Sequence, residues 1–490
     1  MLFNSYEFIF AFLPITFLVY FYLNSKRLTE ASKAFLVLSS LFFYSWWNIA
    51  YLPIILVSML FNYVVGVSLS KENEHTKVSK KTLLTFCVIA NVALLGYFKY
   101  ADFLIENVNL ASNGNVSLLN LALPLAISFF TFQQIAYVVD SYRGETKEYD
   151  FLNYANFVTF FPQLIAGPIV HHAEMMPQFD KSRHKVKNYR NIAVGLFIFS
   201  IGLFKKVVIA DTFAVWATQG FDVAEKLNLF EAWATSLSYT FQLYFDFSGY
   251  TDMAIGAALL FNIKLPINFN SPYKATSIQD FWRRWHITLS RFLKDYIYIP
   301  LGGNRKGNFK TYANLMATFI IGGIWHGAGW TFVFWGFLHG MALMIQRAWN
   351  QLGFKMNSVL AWFITFNFVN IAWVFFRAKE WHDAIKVLSS MFNLNNIMLP
   401  YSLSARLSFL QQYDVKFGAW MGALRGDLYT PIWILATFVL ILVFKNSTER
   451  ININSAKPTI GLAIFTALLT VLTIMNMINA PYTEFLYFNF

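Results

Sequence analysis

The stretch GGIWHGAGW at residues 322–330 lies in the middle of a run without Asp, Glu, Lys or Arg that extends over residues 311–346. Such a run accommodates two short membrane helices, because a helix needs about 20 apolar residues to cross the hydrocarbon core. It places His326 deep in an apolar layer, between glycines that favour a broken or bent helix. Ionisable side chains at such depth are usually functional, and irregular backbone survives there only where protein buries it or it lines a wet cavity. We therefore expect His326 to carry the chemistry of this protein.

The amino-acid composition describes a polytopic membrane protein. Hydrophobic residues make up 57% of the 490 positions and charged residues only 13%, whereas soluble domains carry about 25% charged residues. We predict an all-α fold with about eleven to thirteen transmembrane helices, plus re-entrant or interfacial helices, because only helices and closed barrels satisfy the backbone within lipid. The sequence shows no linker or clear repeat, which predicts one integral domain over residues 1–490 with an aromatic tail at residues 480–490.

The formal net charge of +12 is better explained by membrane topology than by a nucleic-acid partner. The basic residues lie in short loops between apolar runs, as expected for loops that stay on the cytoplasmic side near membrane lipids. Residues 1–22 lack the basic start of a cleaved signal and are followed by Lys26 and Arg27, which predicts a retained first span with its N-terminus outside. Cys87 is the only cysteine, which excludes an intrachain disulfide and a cysteine-rich metal site. We expect no bound metal.

Residues 279–296 have the pattern of one amphipathic helix. Arg284, Arg291 and Lys294 recur at roughly helical spacing beside an apolar stripe. The simplest interpretation is an interfacial helix whose basic side chains face lipid phosphates. His286 does not extend the basic stripe, and on this pattern alone a structural role is favoured over a catalytic one.

Two carboxylates, Asp246 and Asp252, lie within or beside a hydrophobic segment that also carries Tyr250. A carboxylate at such depth needs a partner or a wet cavity, because isolated burial of a charge is expensive. Asp246 is therefore either paired with an arginine of residues 283–294 or directly catalytic. Both readings predict a polar interior next to residues 241–253.

Five sequence motifs, in the right order, resemble those of the membrane-bound O-acyltransferase family, and most of all its bacterial branch, typified by the membrane subunit of alginate O-acetylation. The motifs are FFPQLIAGPI at residues 160–169, FDFSGYTDM at 245–253, DFWRRWH at 280–286, YIPLGGN at 298–304 and IWHG at 324–327. The resemblance covers essentially the full chain. It implies an all-helical, roughly conical fold with a thinned centre and a tunnel that joins the two membrane faces.

The resemblance also implies which residues do the chemistry. The family's near-invariant histidine corresponds to His326, which we expect to act as the general base, since a neutral imidazole suits that task. The family's second polar position corresponds to His286, which we expect to position the reacting groups or stabilise the transition state. His339 is a third candidate of lower rank. The residues expected to support the tunnel are Asp246, Tyr250 and Trp325. The other histidines are interpreted as loop residues: His75, His171, His172, His184 and His382.

The resemblance further implies acetyl-CoA as the acyl donor, a substrate and not a bound cofactor, which would enter from the cytoplasm. Its phosphates suit a basic rim. The residues expected to bind it are Arg283, Arg284, Arg291 and Lys294, with Arg305 and Lys306 nearby. The glycines at 322, 323, 327 and 329 either let a thioester approach closely or only pack a bent helix.

The C-terminal tail, EFLYFNF at residues 484–490, follows the last apolar span. Because the preceding loop is basic, the tail is expected outside, so that both termini are periplasmic and the protein lies in the bacterial inner membrane. An interfacial aromatic belt would explain the tail. The tail is also similar to a short C-terminal motif of bacterial acyl-export systems, which would make Tyr487 the carrier of the acyl group to a periplasmic O-acetyltransferase partner.

These observations predict an O-acetyltransferase that moves acetyl across the inner membrane for an exported polysaccharide such as alginate. Peptidoglycan O-acetylation is the first alternative within the same class, followed by D-alanine export to teichoic acid. A transporter or channel is the alternative from another class, because intramembrane histidine, aspartate and broken helices also mark ion routes.

Overall fold

The computed structural model of the protein describes residues 1–71, 78–146, 150–165, 167–450, 459–479 and 485–486, and these residues are predominantly helical. In chain order the α-helices are α1 (Leu13–Ser25), α2 (Thr29–Ser45), α3 (Leu52–Ser70), α4 (Lys80–Ser112), α5 (Ile127–Tyr142), α6 (Phe151–Thr159), α7 (Phe161–Leu164), α8 (His172–Asp180), α9 (Tyr189–Phe204), α10 (Asp211–Thr218), α11 (Leu229–Leu260), α12 (Ile278–Arg284), α13 (Ile287–Leu293), α14 (Gly307–His326), α15 (Trp330–Gln351), α16 (Ser358–Arg377), α17 (Trp381–Met391), α18 (Ser404–Leu407), α19 (Tyr429–Val443), α20 (Ser447–Arg450) and α21 (Ile460–Asn479). The predicted all-α fold is confirmed.

Shorter elements join these helices. The π-helical segments are Glu7–Phe12, Lys205–Ala210, Gln219–Val223 and Lys294–Tyr298. The 3-10 segments are Ile49–Tyr51, Ser182–Lys185, Pro272–Lys274, Tyr401–Leu403, Ser408–Tyr413 and Gly422–Leu424. Within the described ranges the sheet consists of two parallel strands, β1 (Met398–Pro400) and β2 (Lys416–Gly418).

Seven helical stretches in the described part of the chain are long and apolar enough to cross a membrane. They are Glu7–Ser25, Ile49–Ser70, Lys80–Ser112, Tyr189–Val223, Ser358–Arg377, Tyr429–Glu449 and Ile460–Ile478. The protein is therefore a multi-pass membrane protein. The helices α11, α14 and α15 are also long but carry more polar residues, and the count of about eleven to thirteen crossings stays a prediction.

The chain forms two compact units, each built from separate segments. Unit 1 contains residues 1–204, 249–268 and 451–490, and unit 2 contains residues 205–248 and 269–450. Helix α11 runs through the boundary, so neither unit is one continuous piece of chain. The prediction of a single integral domain stays a prediction.

Unit 1 has a core of aromatic rings and a buried polar contact. Phe43 on α2 packs against Phe12 and Phe161, with ring centroids 5.5 and 5.7 Å away. Between α3 and α4, the side-chain amides of Asn62 and Asn91 exchange hydrogen bonds of 3.1 and 2.8 Å. A reciprocal pair of this kind satisfies polar groups that lipid cannot and holds two membrane helices together.

Candidate active site

The site begins with the helical hairpin of α14 and α15 in unit 2. The run at residues 311–346 forms two helices, as predicted, and they are joined by Gly327, Ala328 and Gly329. The helices pack backbone to backbone: a Cβ atom at Gly323 would lie 2.4 Å from the carbonyl oxygen of Phe332, and one at Gly336 would lie 2.4 Å from that of Phe319. No larger side chain fits at such distances, so these two glycines serve helix packing, as in other small-residue contacts between membrane helices.

His326 is the last residue of α14 and is buried, with 2% of its surface exposed. Its Nδ1 lies 2.7 Å from the carbonyl oxygen of Gly322. Because a carbonyl oxygen only accepts, this contact requires the proton on Nδ1, and the neutral ring then carries its lone pair on Nε2. The hydrogen bond therefore fixes both the ring orientation and the tautomer that a general base needs.

Aromatic rings surround the His326 imidazole. The rings of Trp325, Trp335 and Phe376 lie with their centroids 4.9, 5.0 and 5.2 Å from it, all edge to face. Trp325 therefore lies beside the His326 imidazole, and its support role stays a prediction. Such a wall restricts the ring and keeps polar contacts few, which strengthens every electrostatic interaction inside.

The predicted single amphipathic helix over residues 279–296 is wrong. The segment is broken into α12 and α13 at Trp285 and His286, and a π-helical turn, Lys294–Tyr298, follows. His286 adopts a left-handed backbone conformation, with φ of 42° and ψ of 54°. This conformation is uncommon and strained for a residue with a side chain, and residues that adopt it are enriched at functional sites. Periodicity could not show it, because the residues on both sides of the break still repeat at helical spacing.

The break turns His286 into the interior. The side chain is fully buried, and its ring lies 4.8 Å from that of Phe247 and 6.2 Å from that of Trp325. His286 lies outside the candidate membrane spans, and burial together with the nearby His326 lowers its pKa well below the ordinary value. Both histidines thus neighbour Trp325, and the structure brings together the two residues that we expect to be catalytic.

His339, the third candidate, has a defined structural partner. The indole Nε1 of Trp282 donates a hydrogen bond of 3.2 Å to Nδ1 of His339. The imidazole is fully buried and packs edge to face on Trp335, with ring centroids 4.7 Å apart. This contact joins α12 to α15, and the lower rank of His339 among the catalytic candidates stays a prediction.

Asp246 is buried in an ion-pair cluster, but its partner is a lysine and not the expected arginine. Lys206 lies 2.8 Å from a carboxylate oxygen of Asp246 and 2.8 Å from one of Asp211. The expectation of an arginine from residues 283–294 is wrong, because the π-helical turn Lys205–Ala210 directs Lys206 at α11. An ion pair across the interior lowers the cost of burying Asp246 and favours a structural role.

Tyr250, which belongs to unit 1, is buried in a stack of three aromatic rings. Its ring lies 4.6 Å from that of Phe3 and 4.3 Å from that of Phe485, both roughly parallel. Phe485 is 1% exposed, so the C-terminal tail is anchored at this residue. Tyr487 lies outside the described residues, and its role as acyl carrier stays a prediction.

The basic residues expected to bind the donor are at the surface. Arg283 and Lys294 are exposed, Arg291 is half-buried, and Arg284 is held by Asp280 at 2.9 Å. A polar cavity of about 580 Å³ in unit 2 is lined by other residues, and none of these four basic residues belongs to its lining. It contains Arg347, which sequence reasoning missed because a single arginine after an uncharged run looks like an ordinary helix end.

Four of the five histidines interpreted as loop residues can be placed, and that interpretation is wrong for three of them. His75 lies outside the described residues. His184 is in a 3-10 turn and His382 is exposed on α17. His172 begins α8 and is buried, and only His171, which caps α8, precedes the helix. Pattern alone failed because these segments are short and polar.

Nε2 of His171 and of His172 lie 2.7 and 3.1 Å from Oδ2 of Asp140, in unit 1. Three such groups are a possible set of metal ligands. However, Nδ1 of His171 accepts a hydrogen bond of 3.3 Å from the backbone of Ala173. The neutral ring then carries its proton on Nε2 and donates it to Asp140. These hydrogen bonds join α5 to the start of α8. The expectation of no bound metal stays a prediction.

Comparison with known proteins identifies the family. Residues 141–379 match the model of the membrane-bound O-acyltransferase family. A peptidoglycan O-acetyltransferase of Helicobacter pylori is 49% identical over 100% of this chain and 98% of the relative. A probable alginate O-acetylase of Pseudomonas putida is 38% identical over 100% of both chains. A teichoic acid D-alanyltransferase of Streptococcus thermophilus is 27% identical over 54% of this chain and 70% of the relative. The protein is an acyltransferase and belongs to the membrane-bound O-acyltransferase family.

Proposed function

We propose that this protein transfers acetyl from acetyl-CoA, bound on the cytoplasmic side, across the inner membrane for the O-acetylation of peptidoglycan. The observation that best supports this reaction is the hydrogen bond of 2.7 Å from Nδ1 of His326 to the carbonyl oxygen of Gly322. The neutral ring then carries its lone pair on Nε2, which is the tautomer that a general base requires.

In the proposed reaction, the acceptor is a hydroxyl group and His326 takes its proton on Nε2. The hydroxyl oxygen attacks the thioester carbonyl, a C–O bond forms, and the C–S bond breaks. The proton then passes to the leaving thiolate, which departs as the free thiol of CoA. His286 positions the reacting groups or stabilises the developing oxyanion, and its lowered pKa favours the neutral ring.

The acceptor within the membrane is proposed to be Tyr487, which would pass acetyl to a separate periplasmic O-acetyltransferase. The contact that supports this proposal is Phe485, two residues earlier, whose ring is buried against Tyr250. The burial of Phe485 supports a role for this tail within the protein and not only at the membrane interface. The proposed orientation of the protein in the membrane follows from its basic loops, which are expected on the cytoplasmic side, so that both termini are periplasmic.

The choice of peptidoglycan rests on the Helicobacter pylori relative, which is 49% identical over the full length. Alginate or another exported polysaccharide is the second candidate, because relatives named as probable alginate O-acetylases are 38–40% identical. Membership of an acyltransferase family favours an enzyme over the transporter alternative. D-alanine export has less support, because that relative covers only 54% of this chain.

The test is transfer of radiolabelled acetyl from acetyl-CoA by the purified full-length protein in nanodiscs. Label on the wild-type protein that is lost in both His326→Ala and Tyr487→Phe supports the enzyme and its tyrosyl carrier. If the label is lost only in His326→Ala, the result supports the enzyme but contradicts the role of Tyr487 as acyl carrier. No transfer and no hydrolysis of acetyl-CoA by the wild type contradicts the donor.

A second measurement decides between the acceptor polymers. The acetate released by mild base from purified peptidoglycan should fall in cells that carry only His326→Ala in place of the wild type. If the acetate on peptidoglycan is unchanged while a secreted polysaccharide loses its acetate, the acceptor is the secreted polysaccharide and not peptidoglycan.

A further inference from the structure

A polar cavity of about 580 Å³ opens beside the α14–α15 hairpin, at the end opposite the turn that carries His326. Five amide side chains, one tyrosine and one arginine supply its polar lining. These residues are Gln279, Asn304, Gln346, Asn350, Gln351, Tyr298 and Arg347. Such groups can donate several hydrogen bonds to one ligand. They come from α12, α15, the end of the π-helical turn and the segment that follows it.

Arg347 supplies the positive charge of this cavity. Its Nε is buried and has no hydrogen-bond partner among the described residues. No carboxylate of the described residues forms an ion pair with its guanidinium. The remaining contacts are weak: Nη2 lies 3.5 Å from the amide oxygen of Asn308, and the guanidinium carbon lies 6.0 Å from the centre of the Tyr312 ring. A buried guanidinium donor without a partner is costly, and an anionic ligand with several oxygens would satisfy it.

The charge of Arg347 reaches the other side of the cavity. Burial raises the pKa of Tyr298, and the positive charge of Arg347 opposes that rise. The Tyr298 hydroxyl and the guanidinium are therefore electrostatically linked across the same space. A phosphate group that accepts from both would gain two charge-assisted or polar hydrogen bonds.

The hairpin also sets the distance between this cavity and the catalytic histidine. Arg347 and Trp335 lie on the same helix, twelve residues apart (335 to 347), which corresponds to about 18 Å at a rise of 1.5 Å per residue. The Trp335 ring contacts that of His326. A ligand that reaches both ends must therefore be long and linear, with an anionic group at one end and its reactive group at the other.

We propose that this cavity binds the phosphate-bearing end of the acyl donor, with Arg347 as its charged anchor, so that an extended arm presents the thioester near His326. This inference rests on the proposed function, because it takes acetyl-CoA as the donor. It assigns the phosphate contact to a residue of the hairpin instead of to the basic residues of the segment 283–294.

The experiment compares donors with and without phosphates. Acetyl transfer by wild type, Arg347→Gln and Arg347→Lys is measured in nanodiscs with acetyl-CoA and with S-acetylpantetheine, which lacks every phosphate. Lys355→Gln is the matched control, because this residue is also basic and exposed just beyond α15. CoA binding is measured separately by calorimetry.

Arg347→Gln should raise the KM for acetyl-CoA by about 10- to 100-fold, the range for loss of a charged hydrogen bond. Its kcat should change little, and its use of S-acetylpantetheine should equal that of the wild type. Arg347→Lys should recover part of the affinity, because an ammonium keeps the charge and loses the planar fork. Lys355→Gln should match the wild type with both donors.

Two results would overturn the inference. An equal loss with both donors would show that Arg347 only supports the fold, and a wild-type KM for acetyl-CoA in Arg347→Gln would leave the proposed function intact without this anchor. A failure of the proposed function gives another result: the wild type would bind CoA with an affinity that falls in Arg347→Gln, but it would transfer no acetyl. Absence of both binding and transfer in the wild type would remove the two together.

Discussion

His326 Nδ1 and the carbonyl oxygen of Gly322, one helical turn apart at the end of α14, are joined by a hydrogen bond of 2.7 Å. The α14 helix thus ends in a residue whose ring is oriented by the helix's own backbone. A backbone carbonyl oxygen has two lone pairs, so this one can accept from the imidazole as well as from the backbone of its own helix. The same contact fixes the tautomer that the proposed general base needs.

His326→Ala should lower acetyl transfer by about 10²- to 10⁴-fold, because it removes the proposed general base. The measurement is label transfer per folded molecule, with folding checked by size exclusion and thermal unfolding. His382→Ala is the control, since His382 is exposed on α17. A His326→Ala rate within a few-fold of the wild type would exclude the assigned role.

His286→Gly should be more stable than His286→Ala, by about 1 kcal/mol, which reverses the usual order of these residues in helices. The reason is the φ of 42° at this position, which alanine must still adopt and glycine adopts freely. Both variants lose the same buried ring, so the difference isolates the backbone strain. We expect both to transfer acetyl more slowly than the wild type.

Thermal unfolding of the two variants in the same detergent provides the comparison. Equal stabilities, or a more stable alanine variant, would mean that the strained backbone at His286 does not persist in solution.

Lys206→Met should destabilise the protein by about 3–5 kcal/mol, the usual cost of leaving a buried charge without its partner. The substitution removes the only cation within 2.8 Å of both Asp246 and Asp211 among the described residues. Lys379→Met is the control: its Nζ lies 3.7 Å from Asp222 and the side chain is 72% exposed, so we expect a change near zero.

Asp246→Asn separates a structural role from a catalytic one. We expect lower stability and normal acetyl transfer per folded molecule. Normal stability together with lost transfer would instead assign Asp246 to the reaction.

Gly336→Ala should destabilise the α14–α15 hairpin by about 1–3 kcal/mol, as other overpacked interiors do. The added Cβ would lie 2.4 Å from the carbonyl oxygen of Phe319, and the two helices would have to separate. Gly96→Ala on α4 is the matched control, because nothing lies within 4 Å of a Cβ there. Unfolding midpoints of both variants decide the matter, and an unchanged Gly336→Ala midpoint would contradict this packing.

Phe485→Ala should reduce acetyl label on the protein by on the order of tenfold or more, if Tyr487 is the carrier, because the tail loses its anchor on Tyr250. Hydrolysis of acetyl-CoA that depends on His326 should continue. Phe354→Ala, at an exposed phenylalanine after α15, controls for loss of an aromatic ring. Full labelling of Phe485→Ala would show that the stack is not needed to position the tail.

Much of the candidate site could be predicted before the structure. The uncharged run at residues 311–346 and its glycines predicted two short helices with His326 near their turn, and α14 and α15 confirm this. The order of the motifs pointed to the acyltransferase family, which the comparisons confirm. These inferences depended only on composition, local pattern and motif order, which are properties of the linear chain.

Other features were decided only when distant segments met. The break at His286, the pairing of Asp246 with Lys206 and the cavity around Arg347 each involve contacts between residues that are far apart in sequence or a backbone angle that periodicity does not record. A hydrophobic pattern shows which residues avoid water. It does not show which charge will meet which partner, because that depends on how helices pack and where a side chain's hydrogen-bonding groups find space.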